Sequence, residues 1–129
     1  MTSRELKLRA LRGVARNDNR DGAATFLIRV AESERELELR RSAISSLGRI
    51  AGEKSLGALA NMMDSDPETE IQKQAVSAIG RRPKDEAIPI LIRAARSHPK
   101  MAVRQQAIRM LGQTGDERAV AFFRELLGK

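Results

Sequence analysis

The sequence predicts an all-α fold, an α-solenoid of four two-helix repeats with about eight helices in a single domain. Three observations carry this. The chain matches itself when shifted by 32 residues. Apolar residues recur at three- and four-residue spacing in both halves of each copy, as on one face of an amphipathic helix. No stretch alternates apolar and polar residues as a half-buried strand would.

The register is read directly. Ile71, Ala75, Val76, Ile79 and Gly80 fall on Val103, Ala107, Ile108, Leu111 and Gly112, and one period earlier stand Leu39, Ala43, Ile44, Leu47 and Gly48. The second halves follow through Leu56 and Leu59, Ile88 and Leu91, then Val120 and Phe123, and Pro67 falls on Pro99. The opening copy fits with a one-residue adjustment. The repeats run over approximately 1–33, 34–66, 67–98 and 99–129.

Each element has its own justification. Ala10, Leu11, Val14 and Ala15 set the first helix, with Thr2 and Glu5 at capping-box spacing ahead of it. The run Asn17 to Gly22 breaks the chain before Ala23, Phe26, Leu27 and Val30 form the second. Ser33 and Glu36 repeat the capping spacing before the third helix, Leu39 to Leu47. Ala51-Gly52 separates it from the fourth, marked by Leu56, Leu59, Ala60 and Met63. Asp66-Pro67 and His98-Pro99 open the third and fourth copies, with proline expected at the first helical position. Ile71 to Gly80 give the fifth helix, and Arg82-Pro83-Lys84-Asp85 break the chain before the sixth, at Ile88 and Leu91. Val103 to Gly112 give the seventh, and Thr114-Gly115-Asp116 precede the eighth, at Val120 and Phe123. A two-helix unit cannot bury its stripe alone, whereas four stacked units share one continuous core.

The segments EIQKQAVSAIGRRPKDEAIPILIRAARSHP and AVRQQAIRMLGQTGDERAVAFFRELL resemble HEAT-like repeats of the phycobilisome-lyase type. The fourth copy carries the pattern best, in Pro99, Val103-Arg104, Ala107, Leu111-Gly112, Gly115-Asp116 and Arg118-Ala119-Val120. The resemblance implies a right-handed solenoid whose second helices line the concave, ligand-binding side. It covers members that are lyase subunits, hydroxylases, DNA-repair proteins and plain scaffolds. The hydroxylase branch holds two irons with several His-Glu pairs, and this chain has one His, followed by Pro99, so that branch is excluded. Base stacking by the DNA-repair branch uses aromatic side chains, and Trp and Tyr are absent. Nothing marks a bilin pocket. The first copy lacks the A-x-x-x-L-G glycine and the third has Pro83-Lys84 in place of Gly-Asp, as in drifted structural repeats.

Composition narrows the function classes further. The 129 residues include no Cys, which removes disulfides, thiolate metal sites and cysteine nucleophiles together. No apolar run approaches the ~18 residues of a membrane span, so no membrane insertion is expected. As written, without a leader, the chain reads as cytoplasmic and of bacterial type, unless it is excised from a longer protein. His98 sits where Asp66 stands one repeat earlier and reads as a helix-start or loop residue. One His without Cys is no metal site. Glu34, Glu36 and Glu38 read as a solvated first turn favoured by the helix dipole. Gly48, Gly80 and Gly112 are repeat-spaced packing or bend glycines rather than a phosphate loop. No serine sits in G-x-S-x-G. The expectation is a non-enzyme with no catalytic residue, cofactor or metal.

What remains is binding. The resemblance places Arg29, Gly57, Asn61, Pro89, Arg93, Arg96 and Glu125 on the concave second-helix surface, as a platform for a protein or peptide. A net charge of +7, with 24 Lys or Arg against 17 Asp or Glu, raises nucleic-acid backbone binding as the alternative. Arg12 and Arg16, and Arg81, Arg82 and Lys84, are the candidate basic patches. A third reading is an accessory subunit of a lyase-like enzyme. Phe122, Phe123, Leu126 and Leu127 close the last helix and are the candidate exposed apolar end, open to self-association or a docking partner.

Overall fold

The computed structural model describes residues 2–128, the side chain of Ala15 excepted, so that one repeat position of the sequence pattern lies outside the described residues. The elements are α1 (Ser3–Ala15), α2 (Arg20–Ser33), α3 (Leu37–Leu47), α4 (Glu53–Ser65), α5 (Thr69–Gly80), α6 (Lys84–Ser97), α7 (Met101–Gly112) and α8 (Glu117–Leu126). There is no strand among the described residues. The four first helices, α1, α3, α5 and α7, form one layer and the four second helices the other, and each repeat packs on the next.

The core is one continuous cluster at the repeat-spaced positions. Leu39, Ala43, Ile44 and Leu47 of α3, Ile71, Ala75, Val76 and Ile79 of α5, and Leu59, Leu91 and Leu27 of the second helices are all buried. Burying each of the Leu, Ile and Val side chains among them contributes about 1.5–3 kcal/mol relative to exposure. Small residues let the first helices approach closely. A Cβ on Gly48 would stand 3.1 Å from both the Cβ and the carbonyl oxygen of Ala78. The first helices consequently lie nearer to one another than the second helices do.

The helix starts differ in part from expectation. Thr2 does cap α1, accepting from the Glu5 N–H at 3.1 Å. Ser33 does not begin α3. It is the last residue of α2, its hydroxyl donating to the Arg29 carbonyl at 2.6 Å, and Glu36 takes the cap position without a side-chain bond. Pro67 and Pro99 lie in the connections, ahead of the caps Glu68 and Lys100, rather than at the first helical position. The reason is steric. Proline forces the residue before it out of the α region, and Asp66 and His98, both extended, end α4 and α6. The prolines terminate one repeat instead of starting the next.

Candidate functional site

Several polar residues that could have carried chemistry are built into the joints between repeats. Arg40 is buried, donates from Nε to the Ala31 carbonyl at 2.6 Å, and pairs with Asp66, itself nearly buried. His98 is 4% exposed. Its Nδ1 accepts from the Lys100 N–H at 3.0 Å, which leaves the proton on Nε2, 2.9 Å from the Met63 carbonyl. Both nitrogens are engaged, so His98 pins the end of the third repeat to that of the second. Arg104 donates to the His98 carbonyl and adds the fourth repeat to the joint. Among the described residues, no three His, Cys, Asp or Glu side chains are grouped to hold a metal ion.

The basic candidates divide. Arg12, Arg16, Arg81 and Lys84 are exposed. Arg82 is not. Its side chain is 2% exposed and its guanidinium bonds to the carbonyls of Ile50 and Gly52, the Ser55 hydroxyl and the Glu86 carboxylate. It is a structural strut between the second and third repeats, and it leaves the surface patch.

The second-helix candidates Arg29, Gly57, Asn61, Pro89, Arg93, Arg96 and Glu125 are exposed, on α2, α4, α6 and α8. Three of them are taken up by ion pairs between neighbouring helices. Arg93 reaches Asp64 at 3.2 Å, and Arg96 pairs with Glu125 while its guanidinium lies 5.3 Å above the Phe122 ring. Phe122 is therefore buried core under Arg96, not part of an exposed end. Phe123 is half-buried against the core, and Leu126 and Leu127 are exposed.

The first helices present a different surface. Their exposed sides carry stripes at i, i+4, i+8: Arg12 and Arg16; Arg41, Ser45 and Arg49; Lys73, Ser77 and Arg81; Gln105, Arg109 and Gln113. Bonds across the helices tie the stripes together, from Arg81 to the Ser45 hydroxyl at 3.0 Å and from Gln106 to the Ser77 hydroxyl at 2.8 Å. The acidic residues of these helices, Glu5, Glu38 and Glu70, all sit in the first turn, where the dipole favours them. Arg16, Arg49 and Arg81 stand at the opposite, C-terminal ends. Between them lie two shallow depressions of about 300 and 360 Å³, one bordered by Arg16 and Arg49 with Asp18, the other by Arg49 and Arg81 with Glu86.

The sequence reading gave the first helices to the convex side and named no site at Arg41, Arg49, Lys73 or Arg109. Three successive copies place Arg16, Arg49 and Arg81 at one repeat position.

Comparison with known families settles the architecture. The family model of HEAT repeats matches residues 2–79 and 58–129. The chain belongs to the HEAT-repeat family. A comparison with curated proteins finds no match. HEAT repeats commonly serve as protein-interaction scaffolds and are generally non-catalytic. Among the described residues no helix is long and apolar enough to cross a membrane.

Proposed function

We propose that this HEAT-repeat chain is a non-catalytic scaffold that binds an acidic segment of a protein partner along the exposed side of α1, α3, α5 and α7. The observation that carries the reading is the charge on that side: beyond the first helical turns its stripes hold Arg12, Arg16, Arg41, Arg49, Lys73, Arg81 and Arg109 with no carboxylate among them, and among the described residues Lys73 alone of these reaches a first-turn carboxylate, Glu70, at 3.8 Å. The second-helix side is mixed in sign, and Asp64–Arg93 and Arg96–Glu125 neutralise one another across it. Helix spacing supports the same choice. A stack bends toward the side where its rods lie closer, and the first helices are the closer set. In this reading the concave surface belongs to the stripes, and Arg29, Gly57, Asn61, Pro89, Arg93, Arg96 and Glu125 lie on the outer side.

Nucleic acid is the second reading, favoured by the recurrence of Arg16, Arg49 and Arg81 along the stack, as a phosphate track would have it. Protein is preferred because single strands are gripped largely by aromatic stacking. The three phenylalanines lie on second helices, away from the stripes.

The test is fluorescence anisotropy with three labelled probes, a Glu-rich peptide, its Gln counterpart and a DNA duplex, at about 50 and 200 mM salt, concentrations that bracket a Debye length near 10 Å. The Glu-rich peptide is expected to bind and the Gln peptide not. Arg49→Gln with Arg81→Gln should weaken binding about tenfold, a change of about 1.4 kcal/mol. Arg93→Gln with Arg96→Gln should leave it within about twofold, as for charges off the contact surface. Loss confined to the second-helix variant, or a duplex bound more tightly than the peptide at both salts, would reject the reading.

A further inference from the structure

We propose that copies of this chain associate head to tail, the C-terminal face of one repeat stack docking on the N-terminal face of the next so that the interior repeat-to-repeat interface continues across molecules. The argument rests on the repeat register. Each interior interface is made of two kinds of position, those facing the following repeat and those facing the preceding one. Both kinds are buried throughout the interior, and each is open at one end of the molecule.

Positions facing the following repeat come first. Ile44 and Val76 are fully buried, whereas Ile108, at the same position in the fourth repeat, is 37% exposed. Met62, Met63, Ala94 and Ala95 are buried under the next first helix, whereas the equivalent Leu126 and Leu127 are 53% and 73% exposed. The glycine position repeats the pattern. The space beside Gly48 is filled by Ala78 and that beside Gly80 by Met110, while nothing lies within 4 Å of a Cβ placed on Gly112.

Positions facing the preceding repeat show the complement. Leu39, Ile71 and Val103 are buried, and Leu6, their equivalent in the first repeat, is 57% exposed. Ala10 follows the same rule, exposed where its equivalents Ala43, Ala75 and Ala107 are buried. A polar contact has its counterpart as well. Arg40 donates to the Ala31 carbonyl in the preceding repeat. Lys7 holds the register position of Arg40, and Leu127 that of Ala31.

A second copy is therefore the occupant that fits. Each end carries one half of an interface that the molecule already forms three times between its own repeats. The two halves differ, so the contact is heterologous. It grows into open chains instead of closing as a two-fold dimer.

Sedimentation velocity and light scattering over about 5–500 μM, a span around the micromolar affinities usual for modest interfaces, test this. The mass of the wild-type chain is expected to rise with concentration above 14.3 kDa, without a plateau at the dimer. Leu6→Glu should hold one set of molecules at the monomer, and Leu126→Glu with Leu127→Glu another. Mixing the two variants should restore a species of twice the monomer mass, because each keeps the end the other has lost. All three positions are exposed, and circular dichroism of each variant should match the wild type. A wild-type chain that stays monomeric throughout would overturn the proposal. So would association that survives Leu6→Glu but not the leucine pair at the C-terminal end, since that is the signature of a tail-to-tail dimer.

Discussion

Arg82 shows how much one side chain of the joints holds. Its guanidinium reaches two backbone carbonyls, a hydroxyl and a carboxylate, and bridges the loop after α3 to the start of α6. Arg82→Met keeps the stem but removes the charged donor from this buried cluster, and hydrogen bonds to a charged group contribute about 1.5–3 kcal/mol. We expect a loss of at least about 2 kcal/mol by urea unfolding, against less than about 0.5 for Arg81→Met, an exposed site. Equal effects of the two would contradict the burial. The neighbours look alike in sequence, which is why a local reading grouped them as one patch. The register separates them: Arg82 stands where Ile50 stands one repeat earlier, and Ile50 is core. Asp116 gives a second test at this scale. The Arg118 guanidinium and backbone N–H both donate to its carboxylate, which holds it below the usual 3.8, at about 2. A depressed carboxylate stabilises the fold above the unfolded value and loses that contribution as pH falls through the folded one, so the loop before α8 should loosen between about pH 4 and 2. NMR titration should find the Asp116 midpoint near 2, and Arg118→Ala should return it toward 3.8.

Among the elements, the glycines separate packing from propensity. Gly57 lies inside α4, exposed, with open space where a Cβ would go. Gly57→Ala removes the backbone entropy cost of glycine in a helix and should stabilise by about 0.5–1 kcal/mol. Gly48→Ala meets Ala78, including its fixed backbone, at 3.1 Å, so α3 and α5 must separate. That variant should lose stability. Thermal melts placing both variants on the same side of wild type would contradict the close approach. Helix number, order and pairing were legible because a 32-residue register repeats the same apolar positions, each copy confirming the others. Helix starts were less so, because a hydroxyl followed three residues later by a carboxylate fits two registers. Ser33 bonds backward to Arg29 within α2, the i−4 alternative open to a serine hydroxyl at a helix end. The first-helix stripes enter only with the proposal above, which rests in part on interhelix distance. Small residues such as Gly48 and Ala78 set that distance, and a periodicity count does not weigh it.

Across the whole molecule, the excess of cationic side chains is concentrated on one face rather than spread evenly, and like charges held on one surface repel. The basic stripes of α1, α3, α5 and α7 face one another from repeat to repeat, with Arg49 bordering depressions shared with Arg16 on one side and Arg81 on the other. Repulsion between exposed charges is screened over a Debye length of about 10 Å at 0.1 M salt. Added sodium chloride should therefore raise Tm from about 20 to 300 mM, opposite to a fold held by surface ion pairs. Arg49→Gln with Arg81→Gln should raise Tm at low salt, and the advantage should shrink at high salt as screening does the same work for the wild type. Arg93→Gln with Arg96→Gln removes partners of Asp64 and Glu125 and should bring no such gain. A face that lowers stability when empty, and is relieved by neutralisation, is what a site for an acidic partner requires, since partner binding provides the missing countercharge. A Tm that falls with salt, or a stripe variant no more stable than wild type at 20 mM, would show that the stripes are already compensated within the fold.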